Sequence, residues 1–283
     1  MVEPVSPTRT RALLDRHDLA PSRALGQNFL CDQGTVDKIV RLADLKPGDR
    51  VFEIGPGLGA LTAGLCRAGA NVTAIETDAY ILPALREVVG HHEADGQLTI
   101  VHGDATTIDW TELHRGERAD VVANLPYNVS TPLILDLVPS HHQLERWLVM
   151  VQRESGERLA AGPGSKIYGI PSVLLSYWAE ARVVGSVGPD VFFPRPKVES
   201  VLVRIDRFPN PAFNVDYRHY AAIVKRAFGQ RRKMLRRSLS DVVSEQQMEL
   251  ASIEPTWRPE QLSPTQWAAL AEVSEAKSTE EPS

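Results

Sequence analysis

Val51-Phe52-Glu53-Ile54-Gly55-Pro56-Gly57-Leu58-Gly59 is a strand-like run that ends in three alternating glycines. Glycines let the chain turn tightly and let another group approach the bare backbone. Leu58 to Ala68 then reads as a helix. The same alternation continues downstream. Asn71 to Glu76 reads as a strand, and Ala79 to Val89 as a helix interrupted or bent at Pro83. Leu98 to Gly103 and Ala119 to Asn124 read as strands. Thr131 to Val138 reads as a capped helix with Pro132 at its first position. Trp147 to Gln152 is a further strand. This rhythm predicts an α/β fold, a doubly wound parallel sheet with helices on both faces. Ser172 to Val187 and Ser200 to Arg207 also read as strands, which would complete the sheet with an antiparallel edge.

Outside this core the signals change. Residues 1–8 read as disordered, Arg9 to Asp18 as a short helix, Leu25 to Leu30 as an ordered loop and Thr35 to Ala43 as an amphipathic helix. Phe208-Pro209-Asn210-Pro211 breaks the pattern. After it Tyr217 to Phe228, Arg231 to Ser240, Glu245 to Ala251 and Pro264 to Val273 read as helices, the last with Ser263 and Gln266 forming a capping box. The expected division is 1–208 for the sheet domain, 209–273 for a small all-α domain and 274–283 for a disordered tail.

The chain has 283 residues, 43% hydrophobic and 24% charged, the composition of a soluble globular protein. Cys31 and Cys66 form neither a disulfide framework nor a metal motif, and no metal is expected. They suit a reducing, cytoplasmic compartment. No apolar run is long enough for a membrane span. The net charge of −5 argues weakly against a nucleic-acid binder, but its distribution points the other way. Lys225, Arg226, Arg231, Arg232, Lys233, Arg236 and Arg237 occur with no acidic residue among them. On a helix four of them would share a side, and such a stripe reads as a phosphate-backbone contact. A solvated face is the plainer alternative. The pairs His91-His92 and His141-His142 read as surface loop residues.

Loops at the carboxyl ends of parallel strands bind ligands in such folds. The G-x-G-x-G pattern lacks the G-K-[ST] of a phosphate loop and is preceded by Glu53. It suits S-adenosyl-L-methionine, whose methionine half lies against backbone and carries no phosphate. Glu76 ends the next strand, where a carboxylate accepts from ribose hydroxyls. Asp104, before Ala105, can accept from the adenine amine of that cofactor, or form a simple Asx turn. Asn124-Leu125-Pro126-Tyr127 supplies an amide, a free carbonyl on Leu125, a rigid proline and an aromatic face. That set can grip a flat base with an exocyclic amine, and Tyr127 needs only its ring to stack. An ordinary turn is the alternative. Phe193, in Phe192-Phe193-Pro194-Arg195-Pro196, can stack on the base's other face, whereas Phe192 reads as core.

Taken together, the chain resembles the bacterial small-subunit ribosomal RNA adenine N6,N6-dimethyltransferases. The resemblance rests on Leu25-Gly26-Gln27-Asn28-Phe29-Leu30, Glu53 to Gly59 with Ala60-Leu61-Thr62, Asn124 to Asn128, Phe193 through Ser200, and Phe228-Gly229-Gln230-Arg231-Arg232-Lys233. It implies a Rossmann-like class I methyltransferase sheet and a cytoplasmic, monomeric enzyme of ribosome biogenesis. It implies four methyl transfers, two to each of two adjacent adenines near the 3′ end of 16S rRNA in the immature small ribosomal subunit. The cofactor set so implied is Gln27, Asn28, Leu30, Glu53, Gly55, Gly57, Glu76, Asp104, Ala105 and Asn124. The catalytic set is Asn124, Leu125, Pro126, Tyr127 and Phe193.

Overall fold

The computed structural model describes residues 5–22 and 25–275. The tail expected from 274 lies outside these residues beyond Glu275. The chain forms two compact units. The first comprises residues up to Gly156 and Arg182–Arg207, the second Glu157–Ala181 and the residues from Phe208 onward.

Nine strands are described: β1 (Phe29–Leu30), β2 (Arg50–Ile54), β3 (Asn71–Glu76), β4 (Leu98–His102), β5 (Ala119–Asn124), β6 (Leu144–Gln152), β7 (Ala179–Val187), β8 (Phe192–Phe193) and β9 (Ser200–Arg207). Seven form one sheet in the order β4-β3-β2-β5-β6-β9-β7. The first five in that order run parallel, and β9 is antiparallel to β6. The order grows outward from β2 through β3 to β4, then restarts on the other side of β2 with β5. The carboxyl ends of β2 and β5 therefore flank the switch point where open sheets leave a crevice.

Successive strand residues face opposite ways, and both faces are covered. Val51 joins a core with Val36, Ile39, Leu61, Leu65, Leu85 and Val89, contributed by helices Gln33–Ala43, Ala60–Arg67 and Leu82–Ala94. The next residue, Phe52, packs edge-on to Trp110 at 5.3 Å on the other side. Gly59, at φ 81°, sits where a Cβ would lie 2.9 Å from Leu85, so only glycine lets the helix behind it pack this closely.

Several elements depart from their sequence reading. Ser172 to Val187 is not one strand: Ile170–Leu175 is a helix and only Ala179–Val187 is strand. Apolar runs of this length do not separate the two by periodicity. Pro83 does not bend its helix. It lies in the first turn, behind a 3-10 turn at Ala79–Ile81, where its missing N–H is harmless. The helix after β5 starts at Ser130 and has no side-chain cap, so Thr131 does not cap it and Pro132 is not first. A helix begins at Pro7, inside the stretch read as disordered. His91 and His92 lie within helix Leu82–Ala94.

The second unit is helical, with Tyr217–Phe228 and Pro264–Glu275 as its longer members and Glu245–Leu250 a short one. The capping box of the last is formed: Gln266 N–H donates to Ser263 Oγ at 3.2 Å, and Ser263 N–H to Gln266 Oε1 at 2.9 Å. The helix expected from Arg231 to Ser240 shrinks to Leu235–Ser238, preceded by turns.

Candidate active site

A cleft opens at the switch point, with about 1030 Å³ of atom-free space when the open solvent at its mouth is included. Its walls come from the Leu25–Leu30 segment, the glycine loop after β2, Glu76, the Gly103–Thr106 loop, and Asn124 to Tyr127. Gln27, Asn28, Leu30, Glu53, Gly55, Gly57, Glu76, Asp104, Ala105, Asn124, Leu125, Pro126 and Tyr127 all line it. Residues scattered over a hundred positions thus meet because each lies at the end of a strand or on the segment that crosses those ends.

The glycine loop is shaped by more than one need. Gly57, at φ 55°, would place a Cβ 3.0 Å from the Phe29 ring, so its bareness lets β1 close over the loop. Its N–H donates to Glu76 Oε2 at 3.1 Å, and the Asp78 N–H donates to Glu76 Oε1 at 3.0 Å. Burial raises the Glu76 carboxyl above the ordinary range, and these backbone donors oppose the rise. Each oxygen keeps a lone pair for a ligand hydroxyl.

Glu53 is 1% exposed, and its Oε2 finds no hydrogen-bond partner among the described residues. Burial pushes this carboxyl up to about 8; Thr62 opposes the rise and the Glu76 charge adds to it. An orphaned, buried carboxyl beside bare glycine backbone fits a ligand that brings hydrogen-bond donors and positive charge. The amino group and sulfonium of S-adenosylmethionine supply both, so the residues present fit that cofactor.

Gln27, on the cleft wall, also has a structural task. Its side chain donates to Asp78 Oδ2 at 2.8 Å and accepts from Ser22 N–H at 2.8 Å, pinning the crossing segment to the end of β3. Asp104 forms the Asx turn that its sequence also allowed. Its Oδ1 accepts from the Thr106 N–H and hydroxyl, which hold its carboxyl below the usual range. The residue is exposed and lines the cleft. Ala105 is buried, and its carbonyl accepts from the Trp110 indole at 2.9 Å.

Around Asn124 the backbone is pinned. Leu125 N–H donates to the Met150 carbonyl at 3.1 Å, and Val129 N–H to Pro126 O at 3.3 Å. Asn124 Nδ2 donates to the Asn28 carbonyl at 3.3 Å, which turns Oδ1 into the available acceptor. Tyr127 is not held by its ring alone: its hydroxyl shares a 2.7 Å hydrogen bond with Ser200 Oγ. Phe193 is not part of the cleft wall. It pairs with Phe29 across β1 and β8, and the Arg11 guanidinium lies 5.0 Å over its ring. Phe192 is core, as read. Phe29, Asp78 and Ser200 had no role in the sequence reading. Phe29 and Ser200 lie inside the motifs quoted, but their tasks depend on strand pairing.

In the second unit the basic run divides. Arg226 pairs with Asp241, and Arg231 binds the Lys166 carbonyl at 2.7 Å and lies 3.6 Å from Glu260. Lys225, Arg232, Lys233, Arg236 and Arg237 are exposed, without an ion pair among the described residues. Turns replace the expected helix before Leu235, so helical spacing does not place these residues on one side.

A sheet of this order, with a glycine cleft at its switch point, defines a Rossmann-like methyltransferase. Two solved structures share the fold. The 23S rRNA methyltransferase ErmE has a TM-score of 0.69 at 25% identity, covering 88% of this chain and 100% of that one. A dimethyladenosine transferase from Plasmodium falciparum has a TM-score of 0.70 at 23% identity, covering 84% and 94%. The sequence matches the ribosomal RNA adenine dimethylase family over residues 21–275, and the chain belongs to that family. Its relatives include the ribosomal RNA small subunit methyltransferase A of Magnetococcus marinus, 44% identical over 269 residues, 93% of this chain and 95% of that protein. The protein of the same description in Leifsonia xyli is 42% identical over 275 residues, 94% and 97%. Among the described residues no helix is long and apolar enough to cross a membrane.

Proposed function

We propose that the chain uses S-adenosylmethionine to dimethylate N6 of two adjacent adenines near the 3′ end of 16S rRNA, in the immature small subunit. The single observation that carries this reading is the Asn124 amide on the cleft wall, whose Nδ2 is committed to the Asn28 carbonyl and whose Oδ1 is left as its acceptor. Its relatives' description as small-subunit methyltransferases supports the choice of RNA. The protein acts as a cytoplasmic monomer on this reading.

When bound, the cofactor supplies an electrophilic methyl group. Glu76 takes its ribose hydroxyls, the glycine loop its methionine half, and Asp104 its adenine amine. An adenine amine is a poor nucleophile because its lone pair is delocalised into the ring. Asn124 Oδ1 and the Leu125 carbonyl accept its hydrogens and favour a pyramidal nitrogen. Tyr127 stacks on the ring and holds it in line. Phe193 is the residue proposed for the other face, with Arg11 over one side of its own ring. Catalysis is then mainly positioning and needs no strong base. Incubation with labelled S-adenosylmethionine and unmethylated small subunits, followed by mapping of the labelled bases, tests the proposal. Label elsewhere than in a pair of adjacent adenines overturns it.

Glu76→Ala should weaken S-adenosylmethionine binding about tenfold, since the ribose hydroxyls lose a buried acceptor. An unchanged dissociation constant by calorimetry, in a folded variant, removes Glu76 from the site. Changing Arg232, Lys233 and Arg236 to Ala should weaken RNA binding and flatten its salt dependence, by roughly one unit of slope for each phosphate that is no longer neutralised. Binding measured across a salt series checks this, and an unaltered slope makes these residues a solvated face.

A further inference from the structure

We infer that Ser200 is a positioning residue for base methylation, acting through the Tyr127 ring and setting how completely the second methyl is added. The inference rests on the reading of Asn124 to Tyr127 as the base site.

Ser200 is fully buried, and its hydroxyl lies 2.7 Å from that of Tyr127, 73 residues away in sequence. It opens β9 and stands opposite Gln152 of β6. The neighbouring pair is clamped as well: Arg153 N–H donates to the Glu199 carbonyl at 2.9 Å, and the two side chains form an ion pair at 2.7 Å. Two residues back on β6, the Met150 carbonyl holds Leu125 N–H. The paired strands β6 and β9 thus fix, respectively, the backbone of the base loop and the far end of its aromatic ring. Burial also raises the Tyr127 hydroxyl above its ordinary range, so it stays protonated and able to share the bond.

Stacking alone needs a ring; aiming needs a ring that cannot tilt. A base lying on Tyr127 presents N6 to Asn124 at an angle set by the ring plane. A small tilt moves N6 by a fraction of an ångström, enough to slow an in-line transfer. The second transfer is the more exposed to this. N6 then has one hydrogen left and carries a methyl, so a single acceptor must hold the nitrogen and the ring plane does more of the aiming. Losing the Ser200 bond should therefore slow the second transfer more than the first.

The test compares the native chain, Ser200→Ala, Tyr127→Phe and the double variant on unmethylated small subunits under single turnover. Monomethyl and dimethyl adenine are quantified by mass spectrometry. Each single variant should slow transfer about tenfold, the scale of one hydrogen bond, with RNA and cofactor affinities little changed. The double variant should match the singles, because both remove the same bond. The monomethyl fraction should rise in all three. Native rates and product ratios in Ser200→Ala overturn the inference, as does a double variant whose rate loss is the product of the two single losses. Should Ser200→Ala not fold, Tyr127→Phe removes the same bond from the other side, and a native rate and ratio there overturn it equally. If the native chain itself methylates no adenine, the functional reading fails, and this inference with it.

Discussion

Asn124→Ala lowers the rate of methyl transfer by about a hundredfold or more, the scale of lost positioning in an in-line reaction, and leaves RNA affinity near its native value. The reason lies in what the side chain can and cannot do. Its Nδ2 is committed to the Asn28 carbonyl at 3.3 Å, so Oδ1 is the atom left as acceptor. Alanine removes that acceptor but keeps Leu125 tied to Met150 and the Tyr127 ring tied to Ser200. The stacking surface and the basic turns of the helical unit survive, which is why affinity holds while rate falls. Single-turnover rates with saturating cofactor, set beside RNA binding isotherms, separate the two. A native rate in the folded variant would mean that the amine is not aimed by Asn124 and that the positioning mechanism is wrong.

The parallel half of the sheet was legible because its strands and helices alternate and its loops carry glycine, proline and carboxylates at strand ends. Glu53, Glu76, Asp104 and Asn124 could be placed in one cleft from that rhythm alone, since consecutive parallel strands end on one edge. What depends on pairing between distant segments was not legible. One such feature is the pairing of β1 with β8, which sets Phe193 opposite Phe29 with Arg11 across its ring. The Tyr127 hydroxyl looked idle because its partner is carried by β9, whose register against β6 no local pattern gives. Arg231 to Ser240 reads as one helix, but the segment turns before Leu235, and Arg231 binds the Lys166 carbonyl and lies near Glu260. The Ile170–Leu175 helix was missed because a short apolar run fits strand and helix equally.

Glu53→Gln should stabilise the ligand-free protein by an amount that grows with pH. In an unfolded chain this carboxyl ionises near the ordinary value of 4.5, whereas in the folded chain burial delays ionisation to about 8. Between those values the folded state keeps a proton that the unfolded state has released. The stability that Glu53 contributes as a neutral acid is therefore whole below the unfolded value, and it is lost as pH rises toward the folded one. The loss is on the order of 1 kcal/mol for each pH unit, so it accumulates to several by pH 8. Glutamine has the same shape and does not titrate. Urea unfolding at pH 5, 6.5 and 8, without cofactor, should show a variant advantage that is small at the first pH and largest at the last. Any fixed difference in packing shifts all three equally and leaves the trend intact. A gap that stays constant with pH would show that Glu53 ionises normally in the folded chain, and the account of its orphaned oxygen would fall with it.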